Sequence, residues 1–408
     1  MGPVTRSAFE RVPMLTFARA SVAALLVLSL AGSAAFAADP PPLKIGMITT
    51  LSTAGGYLGE DMRDGFQLAI DEEHGKLGGV PVQVIVEDDG LKPANGKQIA
   101  SKFLLQDKIQ LFTGIIYSNV ALQVVPDVVE AGAFYVSPNS GPSQLAGKGC
   151  NKNFFVVSWQ NDTPHEATGQ YAQYLGIKKM VVVAPNYTTG RDAINGFKRT
   201  YHGQIAEEIY TALDQTDYSA ELARIRAANA DGIYYFLPGG LGISFLKQFT
   251  QAGLKKTMKV VLPEFSLENH VLGAVGNDAE ELYGTAHWLE DLPYAANKKF
   301  VAGYISKYHR EPTPYASQGY DTAKLIASAL RAVNGDLSKA DAFRAALRKA
   351  DFASTRGAFK FGPNQYPIQD WYSMKVVRDP KTQKLKLRGV GKIMRDAGDV
   401  YSGQCKMT

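Results

Sequence analysis

Cysteine is scarce in this chain: two residues, Cys150 and Cys405, among 408. That count excludes a CxxC redox motif and a thiolate zinc cluster. The six histidines, at 74, 165, 202, 270, 287 and 309, are scattered, and none pairs with another at metal-ligand spacing, so no metal site is expected. GxxxxGK[ST], GxGxxG after a strand, HExxH and GxSxG are all missing. Neither a nucleophile beside a base nor a tuned carboxylate pair can be assembled, which argues against an enzyme and against a resident cofactor. Runs of basic residues are lacking too. The chain carries 44 basic and 39 acidic residues, an interspersed near-balance that gives no electrostatic footprint for nucleic acid.

Long apolar runs are absent after the first residues. There, Arg6, Arg11 and Arg19 precede the run Val22 to Leu30 and the small-residue stretch Ala35-Phe36-Ala37. The run falls short of the roughly 20 residues a membrane-spanning helix needs, and an A-x-A site follows it. Residues 1–37 therefore read as a secretory signal peptide cleaved after Ala37, and no Cys follows that would take a lipid anchor. The remaining 371 residues exceed one ordinary domain, and two are expected. In an exported chain the even cysteine count favours a Cys150–Cys405 disulfide, a long closure worth about 4 to 5 kcal/mol on the chain-entropy model.

What is present is a repeated strand–loop–helix grammar. Lys44 to Ile48 is an apolar strand. Ser52 to Leu58 is a loop of small residues closed by Tyr57 and Leu58, and Met62, Phe66, Ala69 and Ile70 recur at helical spacing from near Gly59. Val82, Val84 and Val86 begin a second unit, and Ile109 to Phe112 a third, whose helix runs from Asn119 to Glu130. A fourth strand, Ala133 to Val136, leads into a long Ser/Gly/Pro-rich loop, Ser137 to Asn153. After Phe154 to Val157 the chain crosses through Trp159 to a helix capped by Asp162 or Thr163, and the pattern starts again with strands at Met180, Ile205, Ile233 and Lys259. Leu282 to Leu289 is the next strand. Helices then follow without strands, and Gly357 to Phe361, Tyr372 to Val377 and Leu385 to Gly389 close the chain as strands. Such alternation predicts doubly wound parallel α/β sheets, with the strandless helices packing back on the first domain.

Ligands of open α/β sheets sit at the carboxyl ends of strands. Here those ends offer hydroxyls, amides and helix N-termini, with Ser118, Asn119, Asn139 and Ser140 able to hold a carboxylate without Arg or Lys. For each of them an ordinary cap or turn is an equal alternative.

The export signal, KIGMITTLSTAGG, GYLGEDMRDGFQLAIDE, FYVSPNSGPSQL, the tract Asp231 to Tyr235, LPEF and FKFGPNQYPIQDWY, in that order, resemble the leucine/isoleucine/valine-binding type of periplasmic solute-binding protein. The resemblance implies a type I fold: two α/β lobes, residues 38–158 with 290–366 and residues 159–289 with 367–408, joined by three hinge crossings. It also implies a periplasmic monomer that closes on a small ligand and delivers it to an ABC permease. On the same resemblance, Ser118 and the loop Asn139, Ser140, Gly141 would meet an α-carboxylate, Tyr187 would gate the cleft, Glu264 would meet an α-ammonium, and Tyr57 or Leu58 would add a contact. An amino acid of branched-chain type is the ligand so implied. Two residues point elsewhere: Gly239, in Pro238-Gly239-Gly240, leaves room, and Trp159 adds a large aromatic, which suits an aromatic or other organic acid. A ligand sensor for a membrane receptor is the remaining alternative.

Overall fold

The apolar run after Leu43 is buried because it becomes a central strand. In the computed structural model, which describes residues 41–407 and leaves the expected signal segment outside the described residues, β1 (Leu43–Thr49) pairs in parallel with β3 (Val80–Asp88) and β4 (Leu111–Gly114). β2 (Lys76–Leu77) forms a short antiparallel hairpin with β3, and β5 (Phe134–Ser137) and β6 (Phe154–Val156) complete the order β2-β3-β1-β4-β5-β6. The intervening helices are α1 (Gly56–Asp71), α2 (Pro93–Leu105), α3 (Ser118–Glu130) and the short α4 (Ser143–Ala146), which lies inside the expected long loop. α1 starts at Gly56 and not near Gly59. Its first turn is already closed, with Gly56 N–H donating to the Thr53 carbonyl at 3.1 Å.

The second sheet repeats the plan. After α5 (Thr163–Tyr174), the strands β7 (Lys179–Pro185), β8 (Gln204–Thr211), β9 (Gly232–Tyr235), β10 (Lys259–Pro263) and β11 (Tyr283–Ala286) pair in parallel in the order β8-β7-β9-β10-β11. They alternate with α6 (Thr188–Thr200), α7 (Ser219–Ala228), α8 (Gly240–Gln251) and α9 (Asn269–Val275). The chain then leaves this sheet for α10 (Ala295–Tyr308), α11 (Pro314–Val333) and α12 (Ala340–Lys349). α11 lies on α1 of the first sheet, and glycines let the backbones meet: a Cβ at Gly65 would collide with the Ala316 carbonyl, and one at Gly319 with that of Met62.

The chain returns through β12 (Lys360–Phe361) and the antiparallel β13 (Pro367–Arg378) and β14 (Leu385–Ala397). The expected strand from Gly357 shrinks to two residues. β14 runs eight residues beyond the expected Gly389, because most of it is solvent-facing and held by pairing to β13, so no alternation of apolar residues marks it. Both the fold and its three crossings, after β6, after β11 and before β13, match the expected type.

The first of these crossings is tied to the third by one buried cation. Arg356 donates to the Val157 carbonyl at 2.8 Å, the Ser158 carbonyl at 3.2 Å, Gln369 Oε1 at 2.6 Å and Asp321 Oδ2 at 3.3 Å. Side chains also bridge the two halves directly. The Tyr57 hydroxyl donates to Glu268 Oε1 at 2.8 Å, Ser118 pairs with Thr189, and Ser143 Oγ donates to Asp192 Oδ1 at 2.8 Å. Cys405, beyond β14, is bonded to Cys150, 255 residues earlier. The tail beside it brings the Tyr401 hydroxyl to Asp162, which stands at the N-cap of α5 as expected but whose carboxylate accepts from Tyr401, Arg199 and Gln160 and makes no capping bond.

Three outcomes follow. Arg356→Met leaves Asp321 buried without its cation and should lower stability by about 3 to 5 kcal/mol in urea unfolding; a loss under about 1 kcal/mol would contradict the clamp. Reduction of the disulfide should cost about 2 to 5 kcal/mol in the same assay, and no change would show that the tail is held by other contacts. Asp192 gives a pH dependence: burial, and then nearby Asp162, pushes its carboxyl up to about 6. Between an unfolded value of about 3.9 and that value the folded state holds a proton the unfolded chain releases, so this contribution is full below the lower value and lost as pH rises through about 6. Asp192→Asn should flatten that part of the stability–pH curve, and an unchanged slope would contradict the assignment.

Candidate ligand-binding cleft

The cleft is built from strand ends. Gly114, at φ 101°, and Ile115, at φ 60°, turn the chain sharply out of β4, so that Ile116 and Tyr117 reach the crevice just before α3 begins. β5 ends toward Asn139, β7 toward Tyr187, β9 toward Phe236 and Pro238, and β10 toward Phe265. With Trp159 and Asn161 from the first crossing, His165 from α5, Thr189 from α6 and Tyr315 from α11, these residues line a narrow cavity of about 30 Å³ between the two sheets.

Its walls are mainly aromatic. Tyr187 stacks on Phe236 at 6.4 Å between ring centres and lies 6.2 Å from Tyr117; Phe265 meets Phe236 edge-on at 5.4 Å and tilts on Trp159 at 5.1 Å. No Arg, Lys, Asp or Glu is among the lining residues. Burial pushes the hydroxyls of Tyr117, Tyr187 and Tyr315 upward, so they stay neutral at any physiological pH. The polar groups gather where α3 and α6 begin. Ser118 and Thr189 hydroxyls pair across the cleft, Asn161 Nδ2 donates to Thr189 Oγ1 at 3.2 Å, and Asn139 Nδ2 donates to Gln318 Oε1 at 2.8 Å. Two helix N-termini thus converge there, each with unsatisfied N–H groups and the positive end of its dipole.

Of the residues singled out in the sequence, Asn139 and Tyr187 line the cavity, and Ser118 sits between lining residues, bonded to one. Ser140 and Gly141 are buried behind it; Gly141 N–H donates to Asn161 Oδ1 at 3.1 Å, and a Cβ there would strike the Trp159 carbonyl. Leu58 is core, on the buried face of α1. Tyr57 is not in the lining: its hydroxyl goes to Glu268, its ring lies 4.4 Å from that of His270, and Gly239 makes space beside it. Glu264 does not line the cavity either. It is fully buried and accepts from the His287 backbone N–H at 3.0 Å and pairs with the His287 ring; burial pushes the carboxyl up and the imidazole down. The glycine pair in the first loop has a local cause, since a Cβ at Gly55 would strike the Tyr117 hydroxyl.

Sequence reasoning passed over Tyr117, Asn161, His165, Thr189, Phe236, Phe265 and Tyr315. Tyr117, Phe236 and Phe265 each stand one to three residues beyond a strand end, a signal that was legible. Tyr315 and His165 reach the cavity from helices, and nothing local marks them.

The model of the family described as "Periplasmic binding protein" matches residues 42–382. The Leu/Ile/Val-binding protein homolog 6 of Brucella melitensis is 28% identical over 94% of this chain and 95% of its own length. Among solved structures, a solute-binding protein of an ABC transporter from R. palustris in complex with benzoate is 28% identical, covers 90% of this chain and 100% of its own, and superposes with a TM-score of 0.84. Another, from Rhodopseudomonas palustris BisB5 in complex with 3,4-dihydroxybenzoic acid, is 26% identical, covers 88% and 99%, and has a TM-score of 0.80. With a family match over most of its length and relatives that are substrate-binding proteins and not enzymes, the chain belongs to the periplasmic binding proteins, as a solute-binding component of ABC transporters.

Proposed function

We propose that this protein captures a small aromatic carboxylate in the periplasm and presents it to an ABC permease. The observation that carries the reading is the composition of the cavity: aromatic walls around one polar corner, without a charged side chain in the lining. A flat ring is stabilised between Tyr187, Phe236, Phe265 and Trp159 by burial and by edge and face contacts. The carboxylate belongs at the corner where α3 and α6 begin, with Ser118, Asn139, Asn161 and Thr189 as hydrogen-bond partners and the helix ends supplying positive charge. The two rhodopseudomonad relatives with aromatic acids in their structure descriptions support the same class.

Glu264 bears on the choice of ligand. Its Oε1 is held by His287, its Oε2 has no hydrogen-bond partner among the described residues, and the residue is outside the cavity lining, which speaks against it as the partner of an α-ammonium in this cavity. A branched-chain amino acid is the second reading, favoured by the names of the curated relatives.

In this account the halves, 38–158 with 290–366 and 159–289 with 367–408, are lobes that part to admit the ligand and close over it. The small cavity and the bridges Tyr57–Glu268 and Ser143–Asp192 suit the closed form. Residues 1–37 would direct export and be removed, and the mature protein would act as a monomer.

A thermal-shift screen of benzoate-type acids against leucine, isoleucine and valine tests the ligand class. A ligand at a hundredfold excess over its Kd stabilises by about 2.7 kcal/mol, so an aromatic acid should raise the Tm by several degrees and the aliphatic amino acids should not. The reverse order would establish the second reading. Tyr187→Ala should weaken calorimetrically measured binding of the best acid by about tenfold or more, while an unaltered affinity would remove Tyr187 from the site.

A further inference from the structure

His165 is a buried group of the cavity wall that lies among the aromatic rings. It is fully enclosed, in the first turn of α5, and its ring lines the cavity against Phe236 at 5.1 Å and Phe265 at 5.6 Å. Nδ1 is 2.7 Å from the hydroxyl of Tyr234, a residue outside the lining. Nε2, the ring's other polar atom, has no hydrogen-bond partner among the described residues. A buried polar atom left unpaired is costly, and in a binding site the missing partner is most simply supplied by the ligand.

We infer that His165 Nε2 recognises a hydroxyl substituent on the ring of the ligand, so that the solute is a hydroxylated aromatic acid. This rests on the aromatic-acid reading. The chemistry selects the substituent in two steps. Burial drives the imidazole of the empty cavity down to about 3, so a carboxylate's negative charge against it among Phe236, Phe265 and Tyr234 would have to bring a proton to the ring, whereas the starts of α3 and α6 offer positive charge without one. A hydroxyl carries no such charge. The Tyr234 hydroxyl can donate to Nδ1, which leaves N–H on Nε2, or accept from it, which leaves a lone pair there. A phenolic hydroxyl both donates and accepts, and so satisfies either tautomer. A methyl group or a bare ring satisfies neither.

Calorimetric titration with benzoate, its three monohydroxy isomers and the corresponding methyl isomers tests this. At least one hydroxy isomer should bind about tenfold or more tighter than benzoate and than its methyl counterpart. In His165→Phe that ratio should fall close to parity. Equal binding of benzoate and every hydroxy isomer by the unaltered protein would overturn this inference while leaving the aromatic-acid reading intact. A hydroxy preference that survives in His165→Phe, or an equal loss of both ligands there, would overturn it as well, the latter by making His165 a partner of the carboxylate or of the fold. Binding of no aromatic acid would overturn both readings. Because the variant can fail to fold, the unaltered protein labelled with ¹⁵N-histidine gives an independent readout: the His165 Nε2 resonance should move with the preferred hydroxy acid and much less with benzoate. Equal movement with both would count against the inference.

Discussion

A single buried guanidinium ties the first crossing to the segment that carries the third. Arg356 meets two carbonyls of the first crossing, the amide of Gln369 on β13 and the carboxylate of Asp321 on α11, with almost none of its surface exposed. Desolvation drags its basicity down, and Asp321 holds it up. A charge placed there is tolerable only with its partners present, so the clamp ties the segments it touches to one relative placement. The cleft depends on that placement, because its walls are the strand ends that the crossings space apart.

Within that frame, charge and aromatic surface are segregated. Acidic groups close to the cleft face other partners: Glu264 Oε1 meets His287, Glu268 meets Tyr57 and the first turn of α9, and Asp192 meets Ser143 and Asn161. The cavity keeps aromatic rings, amides and hydroxyls. A site of that kind selects by shape, ring stacking and hydrogen bonding, with the helix ends in the place of a cationic side chain.

Much of the fold was legible in the sequence because central parallel strands buried on both faces, such as β1, β7 and β10, write continuous apolar runs, while the half-buried β3 shows as alternating valines. β2 and β14 were missed or cut short, the first for being two residues long and the second for being held by backbone pairing at an exposed face. The lining of the cavity was legible in part. Ser118, Asn139 and Tyr187 lie beyond strand ends, the position that made them candidates. Glu264 shares that position, yet its side chain turns to His287, a residue of another strand's end that no spacing connects to it. Tyr57 likewise turns to a partner 211 residues away. Side-chain direction at a strand end depends on such distant partners, and that is where sequence reasoning stops.

A crystal structure of the protein grown with a hydroxybenzoate bears most directly on the central claim. The account predicts the ring between Tyr187, Phe236, Phe265 and Trp159, with the carboxylate within hydrogen-bond reach of Ser118 or Thr189 at the starts of α3 and α6. A ligand bound outside this cavity, or one whose carboxylate is held away from both helix ends, would contradict it.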